Sequence, residues 1–270
     1  MKSTATSLLI AGSLFCAATA HAESPLIWQD NSLTYLYGKD FKVNPAIQQT
    51  LTFEHASAWN WGDLFIFVDW INYNGESDSN LGKETYYGEF TPRLSFGKLS
   101  GKDLSFGPIK DVLLAGTYER GENRNRNYLL GPGLDIDVPG FDYFQINLYY
   151  RKPDGITQQP SGQWQVTPVW GITLPVGNSD LLIDGYMDWV VNSKGSEARG
   201  DRLERNLHFN PQIKYDLGKS LGYEAKHLYV GAEYDYWSNK YGIKDGGFVS
   251  ENFVGKTDQN TASLLVKYHF

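Results

Sequence analysis

Apolar and polar residues alternate with a period of two along most of this chain, and few folds accept that pattern. The last segment shows it most clearly. Ala262, Leu264, Val266, Tyr268 and Phe270 share one parity, while Thr261, Ser263, Lys267 and His269 share the other. Two inner segments repeat it. Phe144, Ile146, Leu148 and Tyr150 alternate with Tyr143, Gln145, Asn147, Tyr149 and Arg151. Leu207, Phe209, Ile213 and Tyr215 alternate with Asn206, His208, Asn210, Gln212 and Lys214. In a strand these sets lie on opposite faces. Twelve such segments are expected, at 32–39, 46–55, 62–72, 85–96, 110–120, 126–137, 141–151, 162–174, 180–191, 204–216, 226–237 and 260–270. No apolar run reaches the roughly 20 residues a membrane helix needs. The fold class expected is all-β: a transmembrane antiparallel β-barrel of 12 strands, with one face of each strand toward lipid and the other toward a lumen.

Composition agrees. Mean hydropathy is only −0.41, which suits a barrel whose strands give half their side chains to water. Aromatic residues make up 15% of the chain, led by Tyr, as girdles at two membrane interfaces require. The formal charge of −7 points away from nucleic acid as a partner. The N-terminus has one positive charge at Lys2, an apolar run from Leu8 to Ala18, and Ala20-His21-Ala22. That is the anatomy of a secretory leader, expected at 1–22 with cleavage after Ala22, leaving a barrel at 23–270. Cys16, the only cysteine, falls in the leader behind Phe15 and reads as apolar filler rather than a lipid-attachment site.

An even strand number puts both termini on the periplasmic side of an outer membrane. The connections then fall out as expected, long and polar outside and mostly short inside. Two break the trend: the long inner link Gly97–Ile109 and the short outer link Asp40–Pro45. The terminal Phe270 on the outward face resembles the sorting signal of bacterial outer-membrane barrels. The outer membrane of a Gram-negative cell is therefore the expected location, with its lipid as a partner.

Three runs carry a more specific likeness: EFTPRLSFGKLSGKDLSFGPIK from Glu89 to Lys110, Gly131-Pro132-Gly133-Leu134-Asp135-Ile136-Asp137, and Asp63-Leu64-Phe65-Ile66-Phe67-Val68-Asp69. They resemble the Tsx/OmpK family of outer-membrane nucleoside-type channels, with DLSFGP the most specific part. The chain looks closer to the OmpK branch than to the nucleoside-linked Tsx branch. The resemblance implies twelve strands and a narrow lumen binding nucleosides, in proteins that also serve as phage and bacteriocin receptors. It assigns no contact residues here, and DLSFGP, at an inner connection, reads as structural.

The residues themselves supply candidates. In the third segment Leu64, Ile66, Val68 and Trp70 carry no charge, so that face goes to lipid and Asp63, Phe65, Phe67 and Asp69 go to the lumen. A charge at the lipid midplane costs more, about 2–4 kcal/mol for Arg or Lys and less for Asp. Phe65, Phe67, Tyr143, Tyr149, Tyr186 and Trp237 are candidate platforms for a base. Asp69, Glu89, Arg93, Arg151, Asp184, Asp188, His208 and Lys214 are candidate polar partners. Glu89 and Arg93, four apart on one face, are expected to pair with each other rather than with solute. Glu233 and Asp235 also point inward. Acidic lumen walls disfavour anions.

An enzyme is not expected. Outside the leader the histidines are His55, His208, His227 and His269, with no G-x-S-x-G run and no metal-ligand cluster. The acidic run Asn72–Ser79 reads as a solvated loop, and no cofactor is expected. The function expected is an outer-membrane channel for small solutes, most specifically nucleosides. The alternative is a non-selective small pore whose long outer loops receive phage or bacteriocin.

Overall fold

The computed structural model describes residues 24–122, 125–154 and 160–270. The leader expected at 1–22, Cys16 included, lies outside the described residues. Twelve antiparallel strands close into a barrel: β1 (Leu26–Lys39), β2 (Ile47–Trp59), β3 (Gly62–Asn72), β4 (Glu84–Ser95), β5 (Ile109–Gly121), β6 (Arg126–Ile136), β7 (Tyr143–Pro153), β8 (Gln163–Val176), β9 (Ser179–Val190), β10 (Asn206–Asp216), β11 (Leu228–Ser238) and β12 (Gln259–His269). Every strand pairs with its sequence neighbours, and β1 closes on β12 with Leu33 opposite Tyr268 and Tyr37 opposite Leu264. Closure leaves no free edge, the condition for strands to cross lipid.

The start of β1 and the end of β12 lie at one end of the barrel, with tight turns at 60–61 and 177–178. The longest connections, 191–205 and 239–258, lie at the other. Short periplasmic turns and long outer loops are the general rule for such barrels. The inner link at 96–108 opens with a short helix, α1 (Phe96–Ser100), whose first turn is capped by the Ser95 side chain accepting from the Lys98 amide. In the DLSFGP run the Asp103 carboxylate accepts from the Ser105 amide and Phe106 bridges to Ile109, which makes it a turn. In the outer loop after β3, the Asp78 carboxylate likewise accepts from the amides of Asn80 and Leu81.

The boundaries differ most from expectation in the first hairpin, where β2 runs on to Trp59 rather than ending at 55. β1 begins at Leu26 rather than at 32, so residues before Ser32 extend the wall instead of lining or plugging the mouth. The alternation fails there because the register shifts between Leu26 and Trp28, which moves side chains across the sheet.

The inward face of β12 is buried at Gln259, Thr261, Ser263, Leu265 and Lys267, whereas Leu264 on the outward face is 71% exposed. Elsewhere Val68, Trp70, Leu130, Trp164, Trp189 and Ile213 stand out from the wall. The burial pattern is thus that of a small barrel filled with polar side chains. The glycines of the Gly131–Asp137 run have a physical reason. A Cβ on Gly131 would sit 1.8 Å from the Leu148 carbonyl oxygen of β7, and one on Gly133 would sit 2.6 Å from the Asn147 side-chain oxygen. Only glycine lets β6 and β7 approach this closely.

Candidate functional site

All fourteen candidate residues lie on the inward faces of their strands. They differ in how far neighbours enclose them. Arg93 on β4 is almost fully enclosed: it donates from Nε and Nη2 to Asp63 of β3 at 2.8 and 2.7 Å, and its Nη1 lies 2.9 Å from Asp135 of β6. The expected Glu89–Arg93 pair does not form. Arg93 is taken by two carboxylates, Asp63 on the adjacent β3 and Asp135 on β6 beyond β5, and Glu89 instead accepts from the Tyr87 hydroxyl at 2.8 Å. Lys214 is similarly enclosed, donating to Asp184 at 2.7 Å and to Gln212 at 2.9 Å. Lys267 pairs with Glu54, which also accepts from Ser32. Tyr149 is buried with Ala115 and Leu129.

Higher in the barrel, Arg151 grips Glu119 through both Nη atoms at 2.7 Å each and also donates to Gln165. Gln165 and Thr167 in turn donate to Asp188 at 2.7 and 2.6 Å. This network runs over β5, β7, β8 and β9. Glu119 was not among the sequence candidates, although it shares the inward parity of Ala115 and Thr117. Glu54, Gln165, Thr167 and Tyr87 were also missed, for the same reason: parity places a polar residue in the lumen, but pairing depends on register.

Among the described residues, four lumen carboxylates have only neutral hydrogen-bond donors. Asp69 accepts from Thr52, Glu89 from Tyr87, Asp188 from Gln165 and Thr167, and Glu233 from Gln212. They come from different walls yet feel one another. Asp69 on β3 is within electrostatic reach of Glu233 on β11, and Tyr186 on β9 is within reach of Glu89, Asp188, Glu233 and Asp235. The lumen therefore has an acidic waist where opposite walls approach.

Aromatic rings form two files along these walls. On one, Phe65 lies 6.1 Å from Phe67, which lies 5.9 Å from Tyr87. On the other, Tyr186 meets His208 edge-on at 5.3 Å, His208 stacks on Trp237 at 3.9 Å, and Trp237 meets Tyr241 at 5.5 Å. His208 is fixed by the Tyr186 hydroxyl on Nδ1 and by Asp235 on Nε2. Phe65 and Tyr143 keep 38% and 43% of their surfaces open, so the filling of the barrel leaves some ring faces free.

The outer mouth carries a residue the sequence did not single out. In the loop after β11, a 3-10 turn at Lys240–Gly242 tucks Lys240 inside the rim. Its amine donates to Gln259 at 2.7 Å and lies 5.2–5.9 Å from the rings of Phe41, Trp237 and Tyr241. Burial pulls this amine down to about 8, against the opposing pull of Asp235. The charge is therefore present at pH 7 and lost as pH rises through about 8. We expect the preference for cations over anions to rise about threefold between pH 7 and pH 9, the effect of one unit charge about 5 Å away in water-like surroundings. Lys240→Gln should start from a higher preference at pH 7 and rise less with pH than the unaltered protein. Reversal potentials in a salt gradient would measure it, and an unaltered pH dependence in the variant would exclude Lys240 as the source.

The chain matches, over residues 26–270, the family described as the nucleoside-specific channel-forming protein, Tsx. It is 29% identical over 292 residues to the nucleoside-specific channel-forming protein Tsx of Salmonella typhimurium, covering 96% of this chain and 95% of that one. It is 28% identical over 203 residues to the outer membrane protein OmpK of Vibrio parahaemolyticus, covering 72% and 70%. Among solved structures it is similar to the KdgM porin, with a TM-score of 0.47 and 14% identity over 88% of this chain and 99% of that one.

Proposed function

The chain belongs to the Tsx family of channel-forming proteins and is a channel of the outer membrane; from that premise we propose that its solutes are nucleosides. The observation that carries this reading is the pairing of two aromatic files with an acidic waist. A nucleoside offers a flat base and a sugar rich in hydroxyl donors. The base stacks on rings such as Phe67, Tyr186 or Trp237, and stacking on a protein aromatic is worth about 1–3 kcal/mol per base. The hydroxyls and base N–H groups donate to carboxylates that have no cation of their own among the described residues: Asp69, Glu89, Asp188 and Glu233. Several weak positions along a file suit conduction, because a solute held too tightly cannot leave. The Salmonella relative is a nucleoside-specific channel-forming protein, which supports the same solute class.

Arg93, Lys214 and Tyr149 hold the wall in this reading, and Asp184 and Arg151 position their neighbours. Phe65, Phe67, Tyr143, Tyr186, Trp237, Asp69, Glu89, Asp188 and His208 face the path. The test is single-channel current across a planar bilayer, titrated with adenosine and thymidine. We expect reversible, saturable block that Phe67→Ala weakens about 30-fold, the middle of the stacking range. Steady conductance with no block by either nucleoside would leave the channel and remove this substrate.

A further inference from the structure

The outward wall has a feature that conduction does not use. Glu119 points inward and accepts from the Asn127 side chain, so their neighbours Arg120 and Arg126 point outward. These two arginines are direct cross-strand partners on β5 and β6. Lys152 on β7, next to the inward Arg151, faces outward beside Tyr128. Like charges set directly opposite each other on one sheet face destabilise the pair unless something neutralises them. Arg126 has a partial answer in Asp154, at 3.5 Å.

The placement is one-sided. Among the described residues, the strands β8 to β12 carry no outward Lys or Arg, since Lys214 and Lys267 both point inward. The other outward cations on strands are Lys39 on β1 and Lys110 at the opposite end of β5. Immediately below the cluster lies an aromatic belt, with Tyr118 against Tyr128 at 5.3 Å and Tyr150 against Trp164 at 5.4 Å. Such a belt marks the level of lipid headgroups. Three cations thus sit at headgroup height on one sector of the wall, at the end with the long loops.

We propose that Arg120, Arg126 and Lys152 form a docking site for the phosphate groups of a phosphorylated glycolipid of the outward-facing leaflet. Guanidinium pairs match phosphate oxygens in a bidentate way, and Lys152 adds a point charge. The acyl chains then lie along the aromatic belt and the apolar wall beneath it. This inference rests on the outer-membrane channel reading and on the orientation that puts the long loops outside.

The experiment uses the folded barrel in neutral detergent, with a chelator present so that divalent cations do not bridge. Bisphosphorylated lipid A and its fully dephosphorylated form compete for the protein, and retained lipid is read by native mass spectrometry. We expect the phosphorylated form to be preferred about 100-fold, each cation near a charged lipid surface contributing roughly fivefold. Arg120→Gln/Arg126→Gln/Lys152→Gln should lose that preference, whereas Lys39→Gln/Lys110→Gln should keep it. Equal retention of the two lipids by the unaltered protein overturns the proposal without need of any variant. Equal preference in the triple variant also overturns it. Conductance in bilayers of phosphatidylcholine is measured in parallel. A protein that conducts but ignores lipid phosphate counts against this site alone, and one that never conducts counts against the channel reading.

Discussion

Arg93→Met is expected to destabilise the folded barrel by about 3 kcal/mol, read from the urea midpoint of unfolding in lipid. Arg93 is held by Asp63 and Asp135 on either side, and its side chain is 3% exposed. Removing one partner of a buried ion pair costs about 3–5 kcal/mol, because the remaining charge stays where water cannot solvate it fully. Here two carboxylates would be stranded, but each keeps about a third of its surface open, which puts the effect at the low end of that range. The triple variant Arg93→Met/Asp63→Asn/Asp135→Asn should regain most of the loss, since neutral amides need less solvation. A single variant with unchanged midpoint would mean that lumen water screens the group and that Arg93 is free for another role.

That ion triad also explains what could be read in the sequence. The three runs that resemble the family, Asp63–Asp69, Glu89–Lys110 and Gly131–Asp137, meet in space at this one group. β3 supplies Asp63, β4 supplies Arg93 and β6 supplies Asp135, with Ala115 of β5 opposite Arg93 and fully buried between them. The strand count, the β12 faces and the inward turn of Phe65 and Phe67 were legible because a period of two assigns every side chain to one wall or the other. The partners of Arg93 were not. They depend on which residue of one strand faces which residue of the next, and on a long side chain reaching over a whole strand. The expected Glu89–Arg93 pair failed for that reason: it considered spacing within one strand, where cross-strand neighbours were nearer. Lys240 was missed because loops carry no alternation. Its place follows from the fold of 239–258, where the Asp245 carboxylate accepts from the Thr257 amide and the Thr257 carbonyl accepts from the Lys240 amide. The start of β1 was missed where a register shift interrupts the period.

The waist makes the second large prediction. Asp69→Asn, Glu89→Gln, Asp188→Asn and Glu233→Gln together should raise the flux of a nucleoside monophosphate, relative to its nucleoside, on the order of 100-fold at low salt and at a pH alkaline enough to ionise all four carboxylates. The wall as it stands opposes a phosphate through this level, because none of these four carboxylates has a cation within hydrogen-bond distance among the described residues. One pair of like unit charges several ångströms apart costs about 1 kcal/mol in water-like surroundings, and more where protein walls displace water. Summed over four carboxylates and reduced by mobile ions, a difference of about 2–3 kcal/mol remains, which is the stated factor. The neutral nucleoside should change much less, since amides keep the acceptor oxygens that its hydroxyls use. Liposome swelling or radiolabel uptake with paired adenosine and adenosine monophosphate measures the ratio. The salt dependence identifies the cause: raising ionic strength should shrink the difference between the two proteins as screening length falls. If the ratio stays fixed after neutralisation, size rather than charge rejects the nucleotide, and the aromatic files alone set what passes.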